Sequence, residues 1–356
     1  ACKELPEDID IVSIIYADTP FIKNTTINNL EGLITQGNQA AVLGFEPIGD
    51  NAYGRLIISG NKLLEIVEYN EATSEQRKIK LCNSGIMSFD STILRQYISK
   101  IDNKNSKGEY YLTDLISLLT QDQHNVGNIT TDETEVMGIN SISELIKANK
   151  VQQKKLRDAA IEDSVNMIDP NTVYLAADTK FGNGVTIEPN VYFGKDVTIA
   201  DNVTIKAFSY LEGCNISEDS VIGPFARIRP KTNIAARSKI GNFVEIKNAD
   251  IDAETKINHL SYIGDAKLGK KVNIGAGTIT CNYDGYNKYQ TNIEDKVFIG
   301  SNNALIAPVT IQESAITAAG SVITKNVPDN AMAVARAKQE NIKDQAKIFR
   351  KRNHKK

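Results

Sequence analysis

The chain has 356 residues, with 44 acidic side chains against 41 basic ones and a net charge of −3 at neutral pH. That balance gives no overall positive field for nucleic acid, and the length suggests two or three domains. No run nears the ~18 apolar residues of a membrane span, the N-terminus lacks the apolar core of a signal peptide, and four cysteines (Cys2, Cys82, Cys214, Cys281) form no CxxC pair or metal-ligand spacing, so a reducing cytoplasm with small buried thiols is expected rather than disulfides, zinc or a nucleophile.

The first 140 residues alternate strand and helix patterns. "DIDIVSIIYADTPF" reads as an apolar strand leading to Asp18, and "NTTINNLEGLITQ" as a helix with Asn24 or Thr25 at its N-cap. "AAVLGFEP", "GRLIIS" and "KLLEIVEY" read as strands and "YYLTDLISLLTQD" as a second helix. Such alternation predicts an α/β domain over residues 1–141. A charged helix follows, beginning at Ile142, and 142–168 is expected to connect the domains.

From about residue 185 the chain counts in sixes. Ile187, Phe193, Ile199, Ile205 and Leu211 are six apart; after a slip of one residue come Ile216, Ile222, Ile228, Ile234, Ile240 and Ile246. Further slips lead to Ile251, Ile257, Ile263, Leu268 and Ile274, and the count resumes at Ile293, Ile299, Leu305 and Ile311. The residue after the aliphatic is often glycine or alanine, which suits a turn that must tolerate crowding or unusual φ. Period six fits neither 3.6 nor 3.5, so a helical bundle is excluded. It is the signature of a parallel β-helix in which each coil stacks its aliphatic on the one below. The expected span is 169–336, with a basic tail over 337–356.

Three features of this array carry chemistry. His259 is the only histidine between His124 and His354 and stands near a break in the repeat. Imidazole is the natural general base near neutral pH. Arg229 and Lys247 lie eighteen residues apart, one full coil of three hexapeptides, so two cations project from one face and repel unless an anion bridges them. The insertion "CNYDGYNKYQ" interrupts the column after Thr280, and a long loop on a regular solenoid is rarely there for stability.

The motifs "YAD", "IVEYNEAT", "NSGI", "GEYYLTD" and "EVMGIN", followed by "IGPFARIRP", "IGNFVEIK", "HLSYIGDA", "NIGAGTITCNYDG" and "APVT", run in order along nearly the whole chain. They resemble the bacterial bifunctional UDP-N-acetylglucosamine pyrophosphorylase/glucosamine-1-phosphate N-acetyltransferase family. The resemblance implies an α/β nucleotidyltransferase (Rossmann-like) domain, N-terminally incomplete, followed by a left-handed parallel β-helix of hexapeptide repeats. The implied reaction is acetyl transfer from acetyl-CoA to glucosamine 1-phosphate, in UDP-N-acetylglucosamine biosynthesis for peptidoglycan and lipopolysaccharide, by a cytoplasmic homotrimer.

The same resemblance implies His259 as catalytic base, with Glu245, about one coil earlier, orienting the imidazole. Arg229, Lys247, Tyr262 and Asn273 match the family's contacts to the sugar phosphate, and Lys288 is of the type that closes over it. Ala276, Asn282, Tyr283, Ser301, Ala319 and Arg336 match those to acetyl-CoA. In the first domain Asp18 and Asn140 match Mg²⁺ ligands, and Gly54, Glu68 and Asn83, with Asn140, match contacts to UDP-N-acetylglucosamine. The family's Gly-rich phosphate loop and first strands do not occur in this sequence. Uridylyl transfer from UTP is therefore expected to be lost, since matching binding residues alone need not make a working catalytic site. Among alternatives, a γ-class carbonic anhydrase needs three histidines for zinc. A non-catalytic hexapeptide scaffold would need neither His259, Lys247 nor the insertion.

Overall fold

The computed structural model describes residues 5–60, 62–105 and 107–354; Cys2 and the final Lys355 and Lys356 of the basic tail lie outside the described residues. The chain divides after Val151 into two compact units.

The first unit holds a six-stranded mixed sheet. Its strands are β1 (Ile11–Ile14), β2 (Ala40–Phe45), β3 (Arg55–Ser59), β4 (Lys62–Val67), β5 (Cys82–Asp90) and β6 (Val126–Thr131). They lie in the order β4-β3-β5-β2-β6, with β1 also on β5; only β2 and β6 run parallel. Helices α1 (Asn24–Thr35), α2 (Ser91–Tyr97) and α3 (Asp114–Gln121) accompany the sheet. Strand β5 is the hub, and with α2 and β6 it is an element that the strand and helix patterns above did not single out. Its core residues Ile86, Met87 and Phe89 are fully buried.

Neither expected residue caps α1. The N-cap is Lys23, which makes no side-chain cap bond. Instead the carboxylate of Glu135, 3% exposed, accepts the Lys23 amide at 3.1 Å and the hydroxyls of Thr26 and Thr131. Burial pushes this carboxyl's pKa up, but those hydrogen bonds and the Lys23 ammonium outweigh it and the net shift is downward. A cap supplied from more than a hundred residues away leaves no local pattern.

Helix α4 runs Ile142–Glu162, and the strand Asn166–Met167 already pairs with Thr186–Ile187. The β-helix thus starts just before the expected 169. The second half of α4 covers its first coil: Gln153 exchanges two side-chain hydrogen bonds with the Leu175 backbone, and Ala160 is buried in the β-helix core.

The hexapeptide count becomes three parallel faces. One carries Met167, Ile187, Ile205, Ile222, Ile240, Ile257, Ile274 and Ile299 in register. A second stacks Phe193, Leu211, Ile228, Ile246 and Ile263, and a third Ile199, Ile216, Ile234, Ile251, Leu268, Ile293 and Ile311. All of these side chains are buried, in one continuous core. The one-residue slips fall where the chain turns from the second face to the third, as at Ile246–Ile251. There the positive-φ residue comes two places after the aliphatic (Gly213, Asn248, Asp265); at other turns it usually comes three places after (Phe225, Phe243, Leu260).

The glycine directly after the aliphatic answers a different need. Gly241 is not in the positive-φ region, but a Cβ there would meet the carbonyl oxygen of Asn258, one coil up, at 2.0 Å. Crowding between coils, not unusual φ, selects glycine at that place. The tail forms a short helix, α5 (Gln345–Asn353), with no buried residue. No helix among the described residues is long and apolar enough to cross a membrane.

Candidate active site

Coil register places His259 at the corner between the first and second faces. Asn242 lies directly below it, and its Oδ1 is 2.8 Å from the imidazole Nδ1. With a carbonyl oxygen at Nδ1 the ring donates its proton there, which leaves the Nε2 lone pair free. Glu245, expected to orient the ring, is engaged elsewhere: its carboxylate pairs with Arg229 at 2.7 Å and lies 4.0 Å from Arg227. Glu245 starts a strand on the second face, with its partner Arg227 beneath it, so the 14-residue interval to His259 carries the two onto different faces. The residue that does meet the imidazole, Asn242, was detectable only by counting 17 residues back, one shortened coil.

Continuing upward from His259, the register of Ile257 with Ile274, Ile299 and Thr317 puts Ala276, Ser301 and Ala319 in the same column, one per coil. The column closes with Arg336, whose guanidinium donates to the Ala319 carbonyl at 2.8 Å. Three of the expected acyl-donor residues therefore share one line above the imidazole, and the Arg336 side chain reaches its top from one position beyond the register.

On the second face, Arg229 and Lys247 do stack in successive coils, with Gly264 the next rung. A Cβ on Gly264 would meet the Tyr262 hydroxyl at 2.4 Å. The phenol therefore lies across the glycine and occupies the rung that follows the two cations. This arrangement explains a glycine for which the hexapeptide pattern alone offered only a turn role. The insertion folds back on itself: Asp284 accepts the amides of Tyr286 and Asn287, Tyr283 bridges Lys288, and the Tyr289 amide donates to the Asn282 carbonyl. The buried Asn282 side chain donates to Asp265, which also accepts from Asn248 at 2.5 Å.

That fold returns Lys288 to Lys247. The neighbouring Lys288 ammonium, loss of water and the Arg229 charge push the Lys247 pKa below the ordinary lysine range, against an upward pull from Asp265. Three cations thus share a small space with Glu245 and Asp265 as partial counter-charges. Asn273 stands apart, on the outer side of the first face between Lys256 and Phe298. Tyr283 is largely exposed.

Beside His259 runs an exposed ladder at the positive-φ corner: Phe208, Phe225 and Phe243 stack at 4.9 and 5.1 Å, and Leu260 follows in the next coil. These side chains are 54%, 45%, 55% and 61% exposed.

In the first unit, Gly138 faces both the Asn140 amide and the Asp18 carboxylate: a Cβ there would lie 3.5 and 3.8 Å from them. The Ile139 amide donates to the Asp18 carbonyl at 3.0 Å. Gly54 accepts the Asn83 amide at 2.8 Å and faces the Glu68 carboxylate, which in turn accepts from Thr113. Tyr16 lies against Gly85, so these residues gather at one end of β1, β3 and β5. Among the described residues no group of three or more His, Cys, Asp or Glu could hold a metal by itself.

Residues 178–213 match the bacterial transferase hexapeptide family (six repeats). The bifunctional protein GlmU of Paramagnetospirillum magneticum is 47% identical over 341 residues, covering 95% of this chain and 76% of its own length. The chain belongs to the bifunctional GlmU family. Another member, from Zymomonas mobilis subsp. mobilis, is 45% identical over 350 residues and covers 98% of this chain and 78% of its own length. Among solved structures, the Arabidopsis UDP-N-acetylglucosamine acyltransferase aligns with 53% of this family member and 76% of its own chain, at 15% identity and a TM-score of 0.36.

Proposed function

We infer that this GlmU-family chain transfers an acetyl group from acetyl-CoA to the amine of glucosamine 1-phosphate. The observation that carries the reading is the column above His259: an imidazole with a free Nε2 stands at the foot of a line of small side chains, one corner away from a cluster of cations.

The phosphate of the sugar is held by Arg229 and Lys247, with Lys288 closing from the insertion and the Tyr262 hydroxyl on the next rung. A dianion there relieves the mutual repulsion of the cations, so the cluster is complementary to substrate and strained without it. The pantetheine arm of acetyl-CoA lies along Ala276, Ser301 and Ala319, where only small side chains leave room against the backbone. Arg336 serves a phosphate of the nucleotide end.

His259 Nε2 takes a proton from the sugar amine as its nitrogen attacks the thioester carbonyl carbon. The tetrahedral intermediate collapses with rupture of the carbon–sulfur bond. The proton held by the imidazole then neutralises the departing thiolate, giving coenzyme A and N-acetylglucosamine 1-phosphate. Asn282 braces the insertion through Asp265, and Tyr283 contributes from its exposed outer side.

The active assembly is a homotrimer. Support comes from the exposed Phe208–Phe225–Phe243–Leu260 ladder beside His259, an apolar edge that a second copy would cover, and from Asn273, which reaches a sugar phosphate only from a different face. The first unit binds UDP-N-acetylglucosamine through Gly54, Glu68, Asn83 and Asn140, with Asp18 and Asn140 as oxygen donors to Mg²⁺. Two such donors beside a glycine that leaves space suit a cation that keeps several waters and takes substrate phosphates as further ligands. Bound Mg²⁺ would neutralise phosphate charge. Both substrates being metabolites of the cell interior, the reaction is placed in the cytoplasm.

The test is thiol release from acetyl-CoA in the presence of glucosamine 1-phosphate. The His259→Ala variant should lose at least ~100-fold in kcat, as expected for a general base. Near-normal turnover in that variant, with its fold verified, overturns the reading.

A further inference from the structure

We propose that Asn242, through its side-chain carbonyl, is the positioning residue of the acetyl-transfer base and takes the place usually given to a carboxylate. The inference rests on the reading of His259 as that base. Asn242 ends the strand Lys239–Asn242 and His259 ends Lys256–His259, and the two positions are direct partners across the parallel ladder. The Nδ1–Oδ1 distance is 2.8 Å, and the coils are tied at the same point by the Leu260 amide donating to the Asn242 carbonyl at 3.0 Å. The close approach that Gly241 permits brings Asn242 near enough to make this contact. Below Asn242 the column continues as Pro224 and Ala207, neither of which has a side chain able to hold an imidazole.

The chemistry of an amide here differs from that of a carboxylate. Either group fixes the tautomer with the proton on Nδ1 and the lone pair on Nε2. A carboxylate would also stabilise the imidazolium by its charge, raising the basicity of the ring; an amide carries no charge and cannot take a proton. Asn242 thus supplies orientation without placing a charge beside the ring. That suits a step in which the proton must pass on to the departing sulfur. The titratable groups on the adjoining rungs are Lys239 and Lys256 on its own face, Arg227, Arg229, Glu245, Lys247 and Tyr262 on the neighbouring one, and Asp265 and Lys288 beside Lys247. None of them is hydrogen-bonded to the imidazole among the described residues; Glu245 is tied to Arg229.

The experiment compares pH profiles of kcat and kcat/KM for the full chain and for Asn242→Ala, Asn242→Asp, Glu245→Gln and His259→Ala, with sedimentation and melting curves for each. Asn242→Ala should lower kcat about 10- to 100-fold, the range seen when orienting partners of a histidine are removed, with both KM values within about twofold. Asn242→Asp retains an acceptor at Nδ1 and adds a charge. It should retain turnover but move the acid limb of kcat/KM up by at least ~1 pH unit. Glu245→Gln should leave that limb in place and act on the KM for the sugar phosphate. An unmoved limb in Asn242→Asp, or full activity in Asn242→Ala, overturns the proposal. If Asn242→Ala does not fold, the near-isosteric Asn242→Asp decides alone. Loss of activity in His259→Ala beside a normal Asn242 series removes only the positioning role. Activity in His259→Ala removes the base itself.

Discussion

Replacing Lys247 by alanine should weaken the hold on glucosamine 1-phosphate and leave the acyl donor untouched. Lys247 stands one coil above Arg229, and neighbouring strands lie about 4.8 Å apart. Two unit charges at ~5 Å repel by roughly 3 kcal/mol at an effective dielectric near 20 and by less than ~1 in bulk water. Lys247 is half-buried and Arg229 is 34% exposed, so the true value lies toward the lower figure. Lys288 adds a third positive charge, which is the leading reason that the Lys247 pKa falls below the ordinary range. A phosphate bound between them converts the repulsion into charge-assisted hydrogen bonds, each contributing about 1.5–3 kcal/mol. Loss of one of these raises KM for the sugar phosphate roughly 10- to 150-fold. KM for acetyl-CoA should change by no more than about threefold. The sign with pH follows from the lowered pKa. The ammonium, and with it phosphate binding, is present below that pKa and is lost as pH rises through it. In the unsubstituted chain, therefore, KM for the sugar phosphate climbs on the alkaline side earlier than an ordinary lysine would cause. Lys288→Ala, which removes the first cause of the shift, should move that climb to higher pH. Initial rates of thiol release, with each substrate varied between neutral and strongly alkaline pH, measure both effects. Equal rises in the two KM values for Lys247→Ala, or an alkaline limb that Lys288→Ala does not move, would refute the reasoning.

Gly264→Ala should leave the melting temperature close to that of the parent, because the atom it meets is the far end of the Tyr262 side chain. The displaced phenol should raise KM for the sugar phosphate about 10- to 150-fold, the effect of losing one hydrogen bond to a charged group, and Tyr262→Phe should match it. Phe243→Glu puts a charge into the aromatic ladder and should shift the sedimenting species from trimer to monomer with the β-helix circular dichroism retained; buried interface aromatics contribute at least ~2 kcal/mol each. An unchanged trimer would assign the assembly contact to another edge. Asp18→Ala should abolish the Mg²⁺ dependence of UDP-N-acetylglucosamine binding in calorimetry while acetyl transfer proceeds at the parental rate. Binding that never depends on Mg²⁺ in the parent would remove Asp18 and Asn140 as its ligands.

The β-helix was legible in the sequence because its driving force repeats. Ile222, Ile240 and Ile257 each bury against a copy of the same residue one coil away, so a local count of six, with slips, encodes a long-range contact. The same arithmetic placed Arg229 under Lys247, since residues one coil apart are neighbours in space. His259 stood out for a similar reason, as a residue type that the rest of the repeat does without. By itself, then, the sequence determined the solenoid and its stacked cations, and it singled out His259. What it did not reveal depends on contacts that no local period records. The Glu135 cap of α1 crosses more than a hundred residues. Gly241 and Gly264 are small because of atoms in another coil or a side chain folded over them, not because of their own φ. Glu245 and His259 look adjacent in the coil count, but the turn at Leu260 sets them on different faces, and only the folded corner shows that Asn242 takes the imidazole while Glu245 takes Arg229. A repeat in sequence states which positions stack; which side chains then meet is decided by the direction each Cβ leaves the coil, and that direction exists only once the chain has turned.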